Sequence, residues 1–472
     1  SLMDIGAEVV DGKVVYRDSL KKTKELLPIL AQAGAGKIYL YGGLYEMGEI
    51  SRQLHQVPTP DGHFIAHNKT MIGVRDYSTK QKVIDGVVLK DINGNPFSIY
   101  SMMKLNPKLS DTNVEEDFKD FIQEAHRLGL QVIVDFIPWL APDAIDEQNY
   151  TWTFYKELTD QPRQYYESLL KPEEKEIFIK TLLVQDCAFS VVKIPVEGKE
   201  KIIFVKHMPG MGGTNVDQVV LNIFLPQVQQ YYIDSLKNLI DFGVDGVRGD
   251  LAYKLLKKYM TAHFDLLPEK ERKEFRKQEE PLKRVIEEVK NYASSKNRIF
   301  EFNMETYKDE KDENREILWH LGADKTYYKN IFDDYHKIAY KKDTARHLTA
   351  SLEYMFSAKE RLIVFPSNFD ELSLEIIQGP QKGFAMLLLT SVYLGVTVMV
   401  DLREWLSHSG HILPMVGGKD NHPFVTPEEF ARRKNFDELK EELTRDHLWT
   451  IVLKDLFNVI PKDQRENKEV LI

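Results

Sequence analysis

The sequence predicts an α/β protein built on a parallel (β/α)8 TIM barrel, and three observations carry that expectation. Four short apolar segments each deliver a carboxylate at or near their end. They are LGLQVIVDFIPW (residues 128 to 139) with Asp135, FGVDGVRGDLAY (242 to 253) with Asp250, RIFEFNMETY (298 to 307) with Glu305, and RLIVFPSNFDE (361 to 371) with Asp370. In a parallel barrel, functional side chains come from the C-terminal ends of several different strands. Helical patterns alternate with these segments, as a βα succession requires. Finally, 472 residues with 43% hydrophobic content are enough for one large barrel with insertions.

The elements follow in order. KKTKELLPILAQAG (21 to 34) has apolar residues at helical spacing and a glycine stop, and KIYLY (37 to 41) is a strand. Residues 42 to 96 read as loop-rich, with DINGNP a turn. DFKDFIQEAHRLG is an amphipathic helix feeding the strand at 131 to 136. The stretch from 140 to 215 is irregular and rich in aromatic and charged residues. PEKERKEFRKQEEPLKRVIEEVKNYASSK reads as a solvated helical excursion interrupted by Pro281, LLLTSVYLGVTVMVDLREW as helix then strand, and FDELKEELTRDHLWTIVLKDLFNVI as helical. The only candidate for a first barrel strand is GKVVYR. No alternating β-rich tail is visible, so no C-terminal β-sandwich is expected.

The chemistry begins at Arg248-x-Asp250. Alternation along a strand puts both side chains on one side. An arginine beside a carboxylate at a buried strand end holds that carboxylate ionised and aimed, as a nucleophile requires. Ile299, Glu301, Asn303 and Glu305 share one strand face. Glu305 is the better site candidate because it stands at the strand end, whereas Glu301 reads as a mid-barrel polar residue with an arginine or water partner. Two carboxylates about 5 Å apart suit a retaining glycosidase. Asp370 has an alternative reading as a helix N-cap after Asn368 and Phe369. AGAGK (33 to 37) lacks G-x-x-x-x-G-K-S/T and precedes a strand, so it is a helix stop and no phosphate loop. His408, His411 and His422 lack metal-ligand spacing and read as part of a loop.

These segments, in this order, resemble the four short regions of the α-amylase superfamily, glycoside hydrolase family 13. The matching residues are Asp135 after QVIVDF, GVRGD with Asp250, NMETY with Glu305, and Asn368-Phe369-Asp370, with a resemblance spanning roughly residues 20 to 405. The DFIP…AP wording is most similar to maltosyltransferase-type members. The resemblance implies strands three, four, five and seven of the barrel for the four regions and a small domain inserted after the third strand. Expected boundaries are 1–140 and 216–472 for the barrel and 141–215 for the inserted domain. It also implies roles: Asp250 as nucleophile, Glu305 as acid/base with a raised pKa at an apolar strand end, and Asp370 as a sugar-hydroxyl partner. Arg248, Asp135, Asn368, Phe97 and Trp139 would bind substrate. The implied substrate is a starch- or glycogen-type α-glucan or a maltooligosaccharide, cleaved or transferred, with no cofactor.

Several positions depart from the family pattern. Trp139 and Leu140 stand where the family often has Asn and His, and Phe369 stands for a further His. Trp139 offers no oxygen to a hard cation, so no calcium is expected beside the third strand. Loss of the histidines favours a drier site, which gives transfer weight against hydrolysis. It also keeps alive a catalytically weakened glucan-binding protein. A net charge of −10 with mixed signs argues against a nucleic-acid or membrane surface. The single cysteine, Cys187, permits no intrachain disulfide and fits a cytoplasmic more than a secreted setting. No apolar run reaches membrane-spanning length and no signal peptide is visible. Oligomeric state is not readable.

Overall fold

The computed structural model describes residues 2–10, 13–32, 35–48, 56–58, 64–66, 82–84, 87–89, 97–169, 189–209, 214–307, 313–329, 345–365, 397–399, 436–444 and 470–471. Eight parallel strands close a barrel. In chain order they are Lys37–Leu40, Gln131–Phe136, Gly246–Gly249, Glu301–Met304, Lys325–Tyr327, Leu362–Val364, Thr397–Met399 and Val470–Leu471. The last pairs with both Thr397–Met399 and Lys37–Leu40, which completes the ring. Counted around the barrel from Val470–Leu471, the strands leading to Asp135, Asp250 and Glu305 stand third, fourth and fifth, and Leu362–Val364 stands seventh. GKVVYR is not a barrel strand. Lys13–Tyr16 instead pairs antiparallel with Ala7–Val10 in a separate two-stranded sheet. Sequence favoured it because it was the one apolar run ahead of residue 37, and nothing local shows that a distant segment takes the slot.

A second, seven-stranded sheet sits beside the barrel. Its main path runs Tyr155–Glu157, Lys199–Pro209, Thr214–Val220, Trp139–Leu140, Ile99–Leu105 and Tyr45–Met47, with Phe189–Val196 also pairing to Lys199–Pro209. It therefore joins the stretch after the third barrel position to strands from the stretch before it. Residues 42–96, expected as loop, contribute Tyr45–Met47 and two short hairpins. The Tyr45–Met47 strand was invisible locally because its partner, Ile99–Leu105, lies about fifty residues on.

The helices obey local rules. Asn113 caps Val114–Arg127, its side chain accepting from the Glu115 and Glu116 amides, with acidic residues in the first turn and Phe118, Phe121, Ile122 and Ala125 buried. Pro226 opens Pro226–Phe242, and Gly243 closes it at φ 108°, a left-handed conformation suited to glycine. Pro281 does not interrupt a helix. It opens Pro281–Ser295, after a separate helix Glu269–Phe275, because proline fits the first helical position, where no amide donor is needed.

The barrel interior is layered. At the N-terminal end, Glu301 pairs with two lysines, Lys37 and, at 3.4 Å, Lys325, and Lys325 also donates to Thr397 at 2.8 Å. Burial would raise the Glu301 pKa, but Lys37 and Lys325 hold it below the usual value. Its partners are thus lysines, where an arginine or water was expected. Above this layer pack Tyr39, Ile133, Tyr327, Ile363, Phe365 and Met399, with Tyr41 and Phe97 against them. Among the described residues no helix is long and apolar enough to cross a membrane.

Candidate active site

Adjacent strands bring the charged residues together. Asp135 and Arg248 are direct partners in the parallel register, and Arg248 is in turn opposite Asn303. Glycine at 246 and 249 lets the strands approach this closely. A Cβ at Gly246 would sit 2.6 Å from the Glu301 carbonyl oxygen, and one at Gly249 would sit 2.6 Å from Met304 Sδ. The Gly249–Asp250 junction ends the strand, and the Asp250 amide donates to the Phe136 carbonyl at 2.9 Å.

The buried Arg248 guanidinium holds three carboxylates. Nη1 donates to Asp250 Oδ1 at 2.6 Å and to Asp135 Oδ1 at 3.3 Å, while Nη2 lies 2.7 Å from Glu305 Oε2. The Arg248 Cζ stands 5.4 Å from the Tyr327 ring centroid. Because Nη1 and Nη2 share one carbon, the Asp250 and Glu305 oxygens they hold lie within about 8 Å of each other. Neighbouring carboxylates push the guanidinium pKa well above its ordinary value against the effect of burial. A cation fixed among anions keeps the site's charge in place.

Asp135 is buried and braces this arginine. Tyr39 Oη donates to its Oδ1, the Gly42 amide donates to Oδ2 at 3.1 Å, and Tyr45 Oη donates to its carbonyl at 2.8 Å. Burial pushes the Asp135 carboxyl up to about 6, against the lowering influence of Arg248. Asp250 is the more open of the acids, with 17% of its side chain exposed.

Glu305 meets donors where an apolar setting was expected. Besides Arg248, the Leu251 amide donates to Oε2 at 2.6 Å and Tyr307 Oη donates to Oε1. All three favour the carboxylate. Leu251 achieves this from φ 45°, ψ 37°, a left-handed conformation that costs a leucine about 1 to 2 kcal/mol. The strain lies one residue past Asp250, where it turns an amide onto Glu305.

Phe97 is half-buried, its ring stacked on Tyr41 at 6.3 Å and 13°. Trp139 is buried. It is 1% exposed on a short strand paired with Val220, inside the apolar core shared with the second sheet. Asn368 and Asp370 lie outside the described residues, as do His408, His411 and His422. Among the described residues, no three His, Cys, Asp or Glu side chains are grouped to hold a metal. Sequence reasoning missed Tyr39, Tyr307 and Tyr327. The same i, i+2 alternation that paired Arg248 with Asp250 links Tyr307 to Glu305, so that contact had a signal; Tyr39 and Tyr327 reach the site only across strands.

No family model matches the chain, and no curated protein matches it. Solved structures do. The type III pullulan hydrolase from Thermococcus kodakarensis superposes with a TM-score of 0.51 at 14% identity, covering 94% of this chain and 60% of that one. An inactive double mutant of MutB in complex with isomaltulose gives a TM-score of 0.50 at 15% identity, over 85% of this chain and 64% of that one. The chain shares the (β/α)8 barrel fold of these two structures. An α-amylase from Geobacillus thermoleovorans complexed with acarbose also matches, at 17% identity and a TM-score of 0.46, over 97% of this chain and 76% of that one.

Proposed function

We propose that the protein is a retaining enzyme that cleaves or transfers α-glucosidic bonds in starch-type glucans or maltooligosaccharides. The observation that carries this reading is the single buried Arg248 joining Asp250 and Glu305 at neighbouring strand ends. The names of the neighbours support it, one being a pullulan hydrolase and the other MutB bound to isomaltulose.

In this reading Asp250 is the nucleophile. Arg248 occupies Oδ1, so Oδ2 is the oxygen that attacks the anomeric carbon and forms the covalent glycosyl-enzyme. Glu305 must enter the cycle protonated, against the three donors that favour its carboxylate; it gives that proton to the leaving oxygen and regains one from the acceptor, water or a sugar hydroxyl. The donors around it stabilise the anion left after the first proton transfer, which is the form needed for the second. Asp135 braces Arg248, its Oδ1 accepting from Nη1 at 3.3 Å. Asp370 and Asn368 bind sugar hydroxyls, and Phe97 lines the mouth. We further propose a domain division of 1–140, 141–215 and 216–472, with transfer favoured over hydrolysis by the loss of the histidines at Leu140 and Phe369.

The test is product analysis with maltoheptaose. Shortened products signal hydrolysis, and lengthened ones signal transfer. Asp250→Asn should lower turnover by at least about a thousandfold. Glu305→Gln should be rescued by azide on a substrate with a good leaving group. Binding of maltoheptaose with no turnover by the unaltered protein would replace the enzyme reading with a glucan-binding one.

A further inference from the structure

A proton on Glu305 must take one of two carboxylate oxygens, and their surroundings differ. Oε2 receives the Leu251 amide at 2.6 Å and lies 2.7 Å from Arg248 Nη2. An amide N–H and a guanidinium each have hydrogen to give and no lone pair to offer, so neither can accept from a proton on Oε2. Both are also fixed. The Leu251 amide is set by its left-handed turn at φ 45°. Arg248 is 1% exposed and is bonded to Asp250 and Asp135 as well. Protonating Oε2 would therefore turn hydrogen against hydrogen in a buried place, at the cost of stranded donors.

Oε1 meets a different kind of group, the Tyr307 hydroxyl. A phenol carries one hydrogen and also acceptor lone pairs, and it exchanges the two roles by turning its O–H bond. The ring need not move for this. Tyr253 packs edge-on against it at 6.2 Å and 83°, and Lys329 Nζ stands 5.8 Å from its centroid. Both are contacts to the ring, so they hold the hydroxyl oxygen in place whichever way its hydrogen points.

We infer that Tyr307 is a positioning residue for the proton of Glu305: the carboxyl is protonated on Oε1, where the Tyr307 hydroxyl accepts from it, and the same hydroxyl turns to donate once the proton has left. In the first half of the reaction the proton passes from Oε1 to the leaving oxygen. That oxygen keeps the electron pair of its bond to the anomeric carbon, while Asp250 Oδ2 forms a new bond to that carbon. Tyr307 keeps its own proton throughout. The leaving group, and later the acceptor, must then meet Glu305 at Oε1, on the Tyr307 side. That placement rests on the proposed roles of Asp250 and Glu305. The hydrogen-bond reversal itself does not.

Infrared difference spectra of the full chain against Glu305→Gln, recorded across pH, follow the C=O band of the Glu305 carboxyl as it gains its proton. Tyr307→Phe keeps the ring and removes the hydroxyl in both of its roles. The bond to the anion is the stronger of the two, so losing both should raise the midpoint of protonation by about one pH unit. The band of the protonated carboxyl should also change frequency, because the Oε1 proton loses its acceptor. A band that stays in place would mean that Tyr307 only donates, and an unmoved midpoint that it does not act on the carboxyl; either result overturns the inference. So does a Glu305 that stays ionised at every pH at which the chain is folded, since no proton then reaches Oε1. With maltoheptaose, the basic limb of the kcat/KM profile should move up together with the infrared midpoint, because only protonated Glu305 acts as the acid. A limb that stays while the midpoint moves would remove Tyr307 from the reaction. No turnover of maltoheptaose by the unaltered protein would remove the enzymatic reading and leave the infrared spectra to decide the reversal.

Discussion

Replacing Arg248 by methionine keeps the length of the side chain and removes its charge, which makes it a direct probe of the buried cluster. Three carboxylates lose their shared partner, at 2.6, 2.7 and 3.3 Å. Asp250 can turn toward solvent. Asp135 and Glu305 cannot, since each has only 2% of its side chain exposed. Removing one partner of a buried ion pair costs about 3 to 5 kcal/mol because the other charge is left uncompensated. In a chain of this length that corresponds to a fall in Tm of about 3 to 5 °C. The loss should depend on pH with a definite sign. Asp135 already titrates at about 6 because of burial, with Arg248 as the largest influence lowering it. Without Arg248 its folded pKa rises further, while the unfolded value stays near 3.9. The folded variant then holds a proton that the unfolded chain releases, so its stability increases as pH falls through the folded pKa. Thermal unfolding of both proteins by circular dichroism at about pH 5.5 and about pH 8 measures this, and the deficit should be larger at the higher pH. A variant as stable as the unaltered protein at the higher pH, or a deficit equal at both, would refute the argument.

Four further outcomes follow from single substitutions. Tyr307→Phe removes the hydroxyl donor on Glu305; a hydrogen bond to a charged group contributes about 1.5 to 3 kcal/mol, so kcat/KM on maltoheptaose should fall about tenfold or more with little change in Tm. Gly246→Ala would set a methyl 2.6 Å from the Glu301 carbonyl oxygen, and urea unfolding should show a loss of about 1 to 3 kcal/mol. At the barrel base, Lys37→Met breaks the closer of the two Glu301 pairs and should cost about 3 kcal/mol. Lys325→Met should cost under about 1 kcal/mol near pH 7, because burial already depresses Lys325 to about 8. The unfolded lysine titrates near 10.4, so Lys325 makes stability rise with pH between about 8 and 10.4, and the substitution should remove that rise.

The sequence determined the strand ends. Alternation alone placed Arg248 beside Asp250, and the apolar runs located the Gln131–Phe136, Gly246–Gly249, Glu301–Met304 and Leu362–Val364 strands. Helix boundaries with a side-chain or glycine cap, such as those at Asn113 and Gly243, were equally readable, since the capping bonds span only a few residues. Pro281 was misread because the same residue breaks a helix interior and opens a helix start, and only the fold of the residues before it decides which applies.

Tertiary structure alone decided what the charges do to one another. That one guanidinium serves three carboxylates follows from the lateral register of three strands, which no local pattern encodes. Closure of the ring by Val470–Leu471 is a pairing across more than four hundred residues, and a two-residue strand carries no periodic signal of its own. Trp139 and Phe97 are both aromatic residues near strand ends, yet one is fully buried and the other half-buried. Burial depends on what surrounds a strand from elsewhere in the chain, and here Trp139 stands on an inner strand of the second sheet, inside the core, while Phe97 is half-buried against Tyr41.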